Sequence, residues 1–569
     1  MSVTRGIYGL SGSGIDVDSM VKVGMMTYQS RYDKMYKQEV KNEWMKEAYS
    51  DIYNDLNTFN TSTLSSYKMT SKTSPMLATS SNTTTATAVA NADAATMSHT
   101  VTVSQLASNA YMLTGSEKLT RANTDSSASN SVKLKDILFT AAQQKDLADR
   151  LAAGTLKDTD TIASFKIADG TQTDSKSAEI SFTYADLFSS DQTMNDFASK
   201  INASGVNIRA SYDATNDAFS LYQKDGGDKN QIILSASSDT TKDAQNNGLT
   251  LLNNLKLHQV KQTQDAQTHA MTSSLSKDAF TVAADKQAAA AGVPGQVVID
   301  GKSYTSDTGR VTAGGVTYTL NAIGSTTVSV SQDTDTLVKN VQAFVDDYNK
   351  MFDKLTGKYY ETQYSDYDVL TKSQENGMTT DQVTKWNEKA KSGLLYHDQT
   401  LSKIISAMRE AISMPVDSST SSYNTMMSIG ITSSTDRGHL KLDTDKLKAA
   451  IAADPDCVRN IFAASGDVTT TVNGEKKTTT DYDSEGVLNR ISDSLYTNLK
   501  TLKSYAGTST ESSDGSTLGT LIQTLQTKMS DFQVQMDAYE EQLYDKYDAM
   551  ETAIQQLSVQ LGYISGSSS

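Results

Sequence analysis

The side chains in this 569-residue chain that could do chemistry are five histidines, one cysteine and many carboxylates. A metal site needs imidazoles, thiolates or carboxylates spaced so that they converge, as two histidines four apart on one helix face do. His99, His258, His269, His397 and His439 are scattered, with no such spacing. A histidine of that kind reads as a packed or surface residue. Gly12-Ser13-Gly14 lacks the third glycine and the preceding strand of a dinucleotide-binding turn, and reads as a linker. Neither a Gly-x-Ser-x-Gly elbow nor a phosphate-binding glycine loop occurs. The run DGGDKN at 225–230 resembles a turn more than a calcium loop, because the downstream bidentate Glu is missing. Cys457 lies between Asp454-Pro455 and the apolar pair Ile461 and Phe462, a place for a packed thiol and not for a nucleophile. Carboxylate pairs are so numerous that none is informative. No catalytic, cofactor-binding or metal-ligating residue can be nominated, and the chain does not read as an enzyme.

Bulk properties point the same way. A net charge of −16 argues against nucleic-acid binding and against docking on anionic lipid. No apolar run approaches the length of a bilayer span, so no membrane insertion is expected. The start, MSVTRGIYGLSGSGIDVD, lacks the basic region and apolar core of a secretory signal. The single cysteine excludes an intrachain disulfide. With 37% apolar residues and a mean hydropathy of −0.45, an extended molecule with much surface is expected, in two to four domains.

The elements that organise the chain are its two ends. From Leu518 to Ile564 apolar residues recur at Leu518, Leu521, Leu525, Met529, Phe532, Met536, Tyr539, Leu543, Tyr547, Met550, Ile554, Leu557, Leu561 and Ile564. Steps of three and four, averaging about 3.5, keep one seam of a helix facing a partner. At the other end a helix is expected from about Asp18 to Ser74, with Asp16 and Asp18 placed to cap it and Pro75 to end it. Its stripe runs Tyr32, Tyr36, Val40, Trp44, Ala48, Ile52, Leu56, Phe59, Thr63 and Tyr67. Neither helix can cover its own stripe, and the obvious mate for each is the other. Residues 1–18 read as flexible until something holds them.

Between the ends the period changes. HTVTVSQLA, SFKIADG, AEISFTY, VNIRASYD and AFSLYQKDGG alternate as strands do and are parted by Asp/Gly/Asn turns. One short helix interrupts them, with Met194, Phe197, Ala198 and Ile201 on its apolar face. Residues 261–292 are Ala/Ser/Thr/Gln-rich and carry no clear period, and GQVVIDGKSYTSD, GGVTYTLNAIG and STTVSVSQD then form a second group of strands. Helical spacing returns at Asp333 with Leu337, Val341, Phe344, Tyr348, Phe352 and Leu355. It continues over about 380–392, where Thr379 and Gln382 have capping-box spacing, and over 398–412, 443–453 and 485–502. A polar hairpin is expected at 469–483. The fold class is α+β and multidomain: a terminal coiled-coil or helical-bundle leg, with β-rich head domains inserted between the N- and C-terminal helices.

Long stretches of the chain resemble one family. The segment GLSGSGIDVDSMVKVGMMTYQSRYDKMYKQEVKNEWMKEAYSDIYNDL, the strand SHTVTVSQLASNA and the unit DQTMNDFASKINASGVNIRASYD are similar to the N-terminal part of the flagellar hook-associated protein 2 family, the filament cap proteins. DTDTLVKNVQAFVDDYNKMFDKL, KWNEKAKSGLLYHDQTLSKIISAMR, SIGITSSTDRGHLKLDTDKLKAAIAADPDCVRNIF and YDKYDAMETAIQQLSVQL resemble its C-terminal part, in family order. The expected divisions are 1–41 as a terminal coiled-coil segment, 42–76 as a leg helix pairing with 333–528, 77–160 and 261–332 as two parts of one head domain, 161–260 as an outer head domain, and 529–569 as the C-terminal coiled coil.

The resemblance implies an extracellular protein at the flagellum tip, secreted by flagellar type III export and forming a ring of identical subunits, most often a pentamer. It implies flagellin and the filament tip as partners, with hook-associated junction proteins beside it and an export chaperone before secretion. It implies no cofactor. A surface adhesin binding mucin or host, or another flagellar axial protein, is the alternative. The expected docking residues are the stripe positions Tyr36, Val40, Trp44, Leu525, Met529, Phe532, Met536, Leu543, Met550, Ile554 and Leu557. Residues 1–41 and the end of the C-terminal helix are expected to order only on reaching a helical partner assembly.

Overall fold

The computed structural model describes residues 16–124, 132–238, 240–265, 268, 270–419, 421–434, 438–472, 475–508 and 514–566. Residues 1–15 of the glycine- and serine-rich start lie outside this range, as does His269. The chain divides into two compact units, Met1–Ser74 with Thr334–Ser569, and Pro75–Asp333. Helices build most of the first and strands most of the second, an α+β architecture.

The first unit opens with a helix over Val17–Thr58, capped by Asp16, whose carboxylate accepts from the Ser19 amide at 3.0 Å. The helical run expected to reach Ser74 is not uniform. At Phe59–Leu64 it widens into a π turn, where the Thr61 hydroxyl takes the Asn57 carbonyl at 2.8 Å. It then breaks at Met69, which is extended. Tyr49, Ile52, Leu56, Phe59, Leu64 and Tyr67 pack there into a core shared with the helices Thr334–Tyr359, Gln399–Ser413, Thr444–Ala453, Cys457–Ala463 and Val487–Ala506. The capping box at Thr379–Gln382 forms as its spacing predicts, and Asp398 and Asp443, expected as the first residues of their helices, cap them instead. The expected polar hairpin pairs Ser465–Val472 with Glu475–Glu485. Arg490 pins its base. Its guanidinium is fully buried and donates to the carbonyls of Tyr482, Asp483, Met414 and Pro415 at 2.6–3.1 Å.

In the second unit the strands are β1 Met76–Ser80, β2 Ala86–Ala90, β3 Ser98–Gln105, β4 Asn109–Thr114, β5 Thr161–Gly170, β6 Ser177–Thr183, β7 Ile208–Asp213, β8 Ala218–Gly226 and β9 Asn230–Ala236. They continue with β10 Leu257–Gln264, β11 Met271–Leu275, β12 Ala288–Ala291, β13 Gly295–Ile299, β14 Lys302–Ser306, β15 Arg310–Ala313, β16 Val316–Leu320 and β17 Gly324–Gln332. Two cores form. One lies between sheets β1-β17-β3-β13-β14 and β15-β16-β2, around Val101, Val103, Val297, Tyr318 and Val328. The other lies between β11-β10-β4-β8-β7 and β12-β9-β5-β6, with the helices Leu134–Leu138, Ala141–Ala152, Met194–Ala203 and Lys242–Asn254 around it.

The chain crosses from one core to the other only near Ser108 and Val293, which bridge each other through their backbones at 2.9 and 3.2 Å. Gly292 is required at that crossing, because a Cβ there would overlap the Ser108 carbonyl. The boundaries expected at 160/161 and 260/261 therefore do not follow the cores. Ala110, Met112, Leu134 and Ile137 on one side, and Ala288 and Ala290 on the other, are buried together with Phe165 and Phe182.

Candidate functional site: the paired terminal helices

The helices Val17–Thr58 and Thr517–Gly566 lie antiparallel against each other in the first unit. Asp18 accepts from the Tyr544 hydroxyl at 3.1 Å, Glu39 from Gln526 at 2.8 Å, and Lys46 pairs with Asp514. Val17, Val21 and Leu543 make a small core at one end. Next to it Gly24 lets the helices close up, since a Cβ there would sit 2.7 Å from Leu543 Cδ1. Tyr28 then stacks on Tyr539 and Phe532, with centroids 4.5 and 5.7 Å away.

Halfway along, the interface turns polar. Glu39 and Asn42 are buried there, bonded to Gln526 and Gln38 respectively. Burial and the adjacent Glu39 charge push the neighbouring Glu43 carboxyl above its usual range. Beside the helices runs a groove of about 920 Å³, lined among others by Val21, Met25, Met26, Lys34, Met536 and Asp537.

The expected docking residues fall into three groups. Met536 and Leu543 are buried in the interface, and Leu525, Met529 and Phe532 are half-buried along it. Met550 and Ile554 are half-buried and Leu557 is 57% exposed, in the part of the C-terminal helix beyond its pairing with Val17 and Val21. Leu561 and Tyr563 follow at 64% and 78% exposed, and the side chain of Ile564 lies outside the described residues. Tyr36, Val40 and Trp44 are half-buried, and Tyr36 and Trp44 meet a different part of the unit. The Lys372 ammonium sits 5.1 Å from the Tyr36 ring, and the Lys391 ammonium 5.4 Å from Trp44.

The N-terminal seam is thus carried by Val17, Val21 and Tyr28, which the four-residue stripe leaves out, and by the polar Glu39, which apolar counting skips. Steps of exactly four rotate around a helix by about 40° each, so the stripe through Tyr36 drifts off the interface. The three-and-four spacing Val17, Val21, Gly24, Tyr28 was the signal that could have found the true face. On the C-terminal helix the seam passes through Ile522, 8% exposed, and not through Leu521, 45% exposed. The expectation that residues up to 41 wait for an outside mate is also revised. From Val17 onward they have one within the chain.

The residues first considered for chemistry have ordinary partners. His99 Nδ1 meets Asp300 and His439 Nε2 meets Asp353, each at 2.6 Å, and His397 stacks on Tyr359. In 225–230, Asn230 bonds the Gly226 carbonyl at 2.7 Å, closing the turn between β8 and β9. Burial pushes the Cys457 thiol up to about 12, so it stays protonated. Among the described residues no group of three His, Cys, Asp or Glu side chains could hold a metal ion, and no helix is long and apolar enough to cross a membrane.

Comparison with known proteins completes the picture. The family models "Flagellar hook-associated protein 2 N-terminus" and "Flagellar hook-associated protein 2 C-terminus" match residues 13–110 and 294–559. A flagellar hook-associated protein 2 from Halalkalibacterium halodurans is 26% identical over 568 residues, covering 96% of this chain and 97% of its own. Another, from Thermotoga maritima, is 29% identical over 180 residues, 29% of this chain and 27% of its own. Among solved structures, the flagellar cap protein FliD D1-D2-D3 domains from Escherichia coli cover 84% of this chain and 99% of theirs, at 19% identity and a TM-score of 0.46. With both terminal family models matched in order and a relative aligned from end to end, the chain belongs to the flagellar hook-associated protein 2 family.

Proposed function

We propose that this chain caps the distal end of a flagellar filament. Several copies form a ring, five in the family's commonest form, which retains exported flagellin while it folds and inserts beneath. Its role is mechanical: grip, retention and release, with no bond made or broken. The observation that carries this reading is the C-terminal helix, whose seam keeps its spacing past the end of its pairing with the N-terminal helix and there exposes Leu557 and Leu561, with Tyr563 exposed beside them. A tubular array of helices offers the matching stripe.

Ordering such a segment costs about 1–2 kcal/mol per residue, which burial of the stripe offsets, so the grip can yield and re-form as each subunit is added. The Ser/Thr-rich strands of the second unit suit lateral contacts that rearrange better than a permanent apolar interface does. Export through the flagellum's own apparatus, an export chaperone beforehand and junction proteins as neighbours belong to the same reading. Electron microscopy of the purified protein, alone and mixed with filaments, tests it. Rings and decorated filament ends are expected; protein that binds filaments only along their sides, or not at all, would end the proposal.

A further inference from the structure

Both ring nitrogens of His258 face oxygen acceptors. Nε2 lies 2.6 Å from Glu117 Oε1, and Nδ1 lies 2.7 Å from the Ser276 carbonyl oxygen. A neutral imidazole carries one N–H, so in either tautomer one of these short contacts would set a bare nitrogen against an oxygen. Only the imidazolium donates to both. His99 supplies the contrast within the same unit: its Nδ1 meets Asp300, but its buried Nε2 has no partner among the described residues, so one N–H satisfies the contact it makes.

The three groups come from separate segments. Glu117 lies in the loop after β4, His258 in β10, and Ser276 just past β11. β11 is an edge strand, exposed at all five positions and, among the described strands, hydrogen-bonded to β10 alone. Ser276 adds a backbone bond to Gln259, and Gln259 returns one to the Ser276 hydroxyl at 3.1 Å. The charged groups facing the ring are Glu117 and, from beyond β11, Asp278; Lys256, before β10, acts on Glu117. Burial of the ring, 7% exposed, opposes its charge, yet Glu117 and the Ser276 carbonyl outweigh that and hold the His258 proton above the ordinary value of 6.5.

We propose that the proton on His258 locks the β10–β11 hairpin to the loop after β4, and that its loss as pH rises releases β11. The sign follows from the raised affinity. The lock contributes fully below the unfolded-histidine value and fades as pH rises through the folded one. The first test is imidazole nitrogen NMR on the full chain across pH 5 to 10. Two protonated nitrogens on His258 are expected at the ordinary histidine value of 6.5, and a ring mostly neutral there would overturn the proposal. Replacing the anion, Glu117→Gln, should lower the His258 midpoint by about one pH unit, a tenfold loss of proton affinity; an unmoved midpoint would overturn it. In the unaltered chain, amide exchange over Met271–Leu275 should accelerate across that midpoint relative to the β3–β17 amides. Parallel exchange in both places would equally refute the lock.

Discussion

Gln526 donates to Glu39 at 2.8 Å inside the two-helix interface, where Glu39 is only 7% exposed. Gln526 itself is exposed, so the bond adds little net stability, yet it penalises every other register, because a slip would leave the buried Glu39 carboxylate unmatched. Replacing Gln526 alone, Gln526→Leu, strands that carboxylate and should cost about 1–3 kcal/mol, read as a lower urea midpoint of the helical signal. The double change Glu39→Leu with Gln526→Leu should recover most of the loss. If the double variant is as unstable as the sum of the singles, the pair does not act as a unit.

Gly24 has a packing reason in a helix where glycine would otherwise cost about 1 kcal/mol. It lies beneath Leu543, and any larger side chain must displace that leucine. Gly24→Val should weaken the pairing by about 1–3 kcal/mol, with amide exchange in Val17–Tyr28 rising first. Adding Leu543→Ala should restore part of it by making room. A Gly24→Val chain with unchanged exchange at that end would show that the helices do not close there.

Arg490 spends its guanidinium on four backbone carbonyls, none of which has a carboxylate's charge to offer. Arg490→Leu leaves those acceptors dry and should cost about 3–5 kcal/mol in the helical unit. Arg490→Lys should rescue little, since an ammonium lacks the planar fork that reaches Met414 and Tyr482 together. Urea denaturation followed by tryptophan fluorescence (Trp44 and Trp386 both lie in this unit) gives the readout.

Cys457 should ignore thiol reagents in the folded chain at pH 8, because burial holds the thiol protonated and covered. One equivalent should react once urea unfolds the unit. Rapid labelling without denaturant would mean that the core around Ile461 and Phe462 opens locally.

How much of this was legible in the sequence depends on which residues carried each element. The C-terminal seam was readable because Met529, Phe532, Met536, Tyr539 and Leu543 are large and apolar at alternating steps of three and four. The choice between Leu521 and Ile522 was not, since either keeps the mean spacing near 3.5. Glu39 was passed over because a count of apolar residues skips polar seam positions. In the second unit β3 showed itself through the buried alternation His99, Val101, Val103. β12 is built of alanines, whose small side chains fit against β9 but leave no period to detect. The helix Ala141–Ala152 was not expected: beside the capping box Thr140–Gln143 its face carries one buried residue, Leu147. The Glu117–His258–Ser276 contact joins residues 18 to 141 positions apart, so no local pattern could reveal it.

Ending the chain after Met550 separates the two parts of the C-terminal helix. It removes Ile554, Leu557, Leu561 and Tyr563 but keeps Phe532, Met536, Tyr539 and Leu543, which cover Val17 to Tyr28. The shortened protein should therefore keep the protection of its N-terminal helix in amide exchange and keep its urea midpoint within about 1 kcal/mol, since exposed apolar residues contribute little to folding. Capping should nonetheless fail, visible as bare filament ends in electron microscopy and unretained flagellin in the medium. A cut after Lys528 should lose both, because it strips the cover from Val17 and Val21 as well. If the chain ending at Met550 caps as well as the full one, grip resides in the paired section or in the β-rich unit, and the uncovered seam is not the anchor.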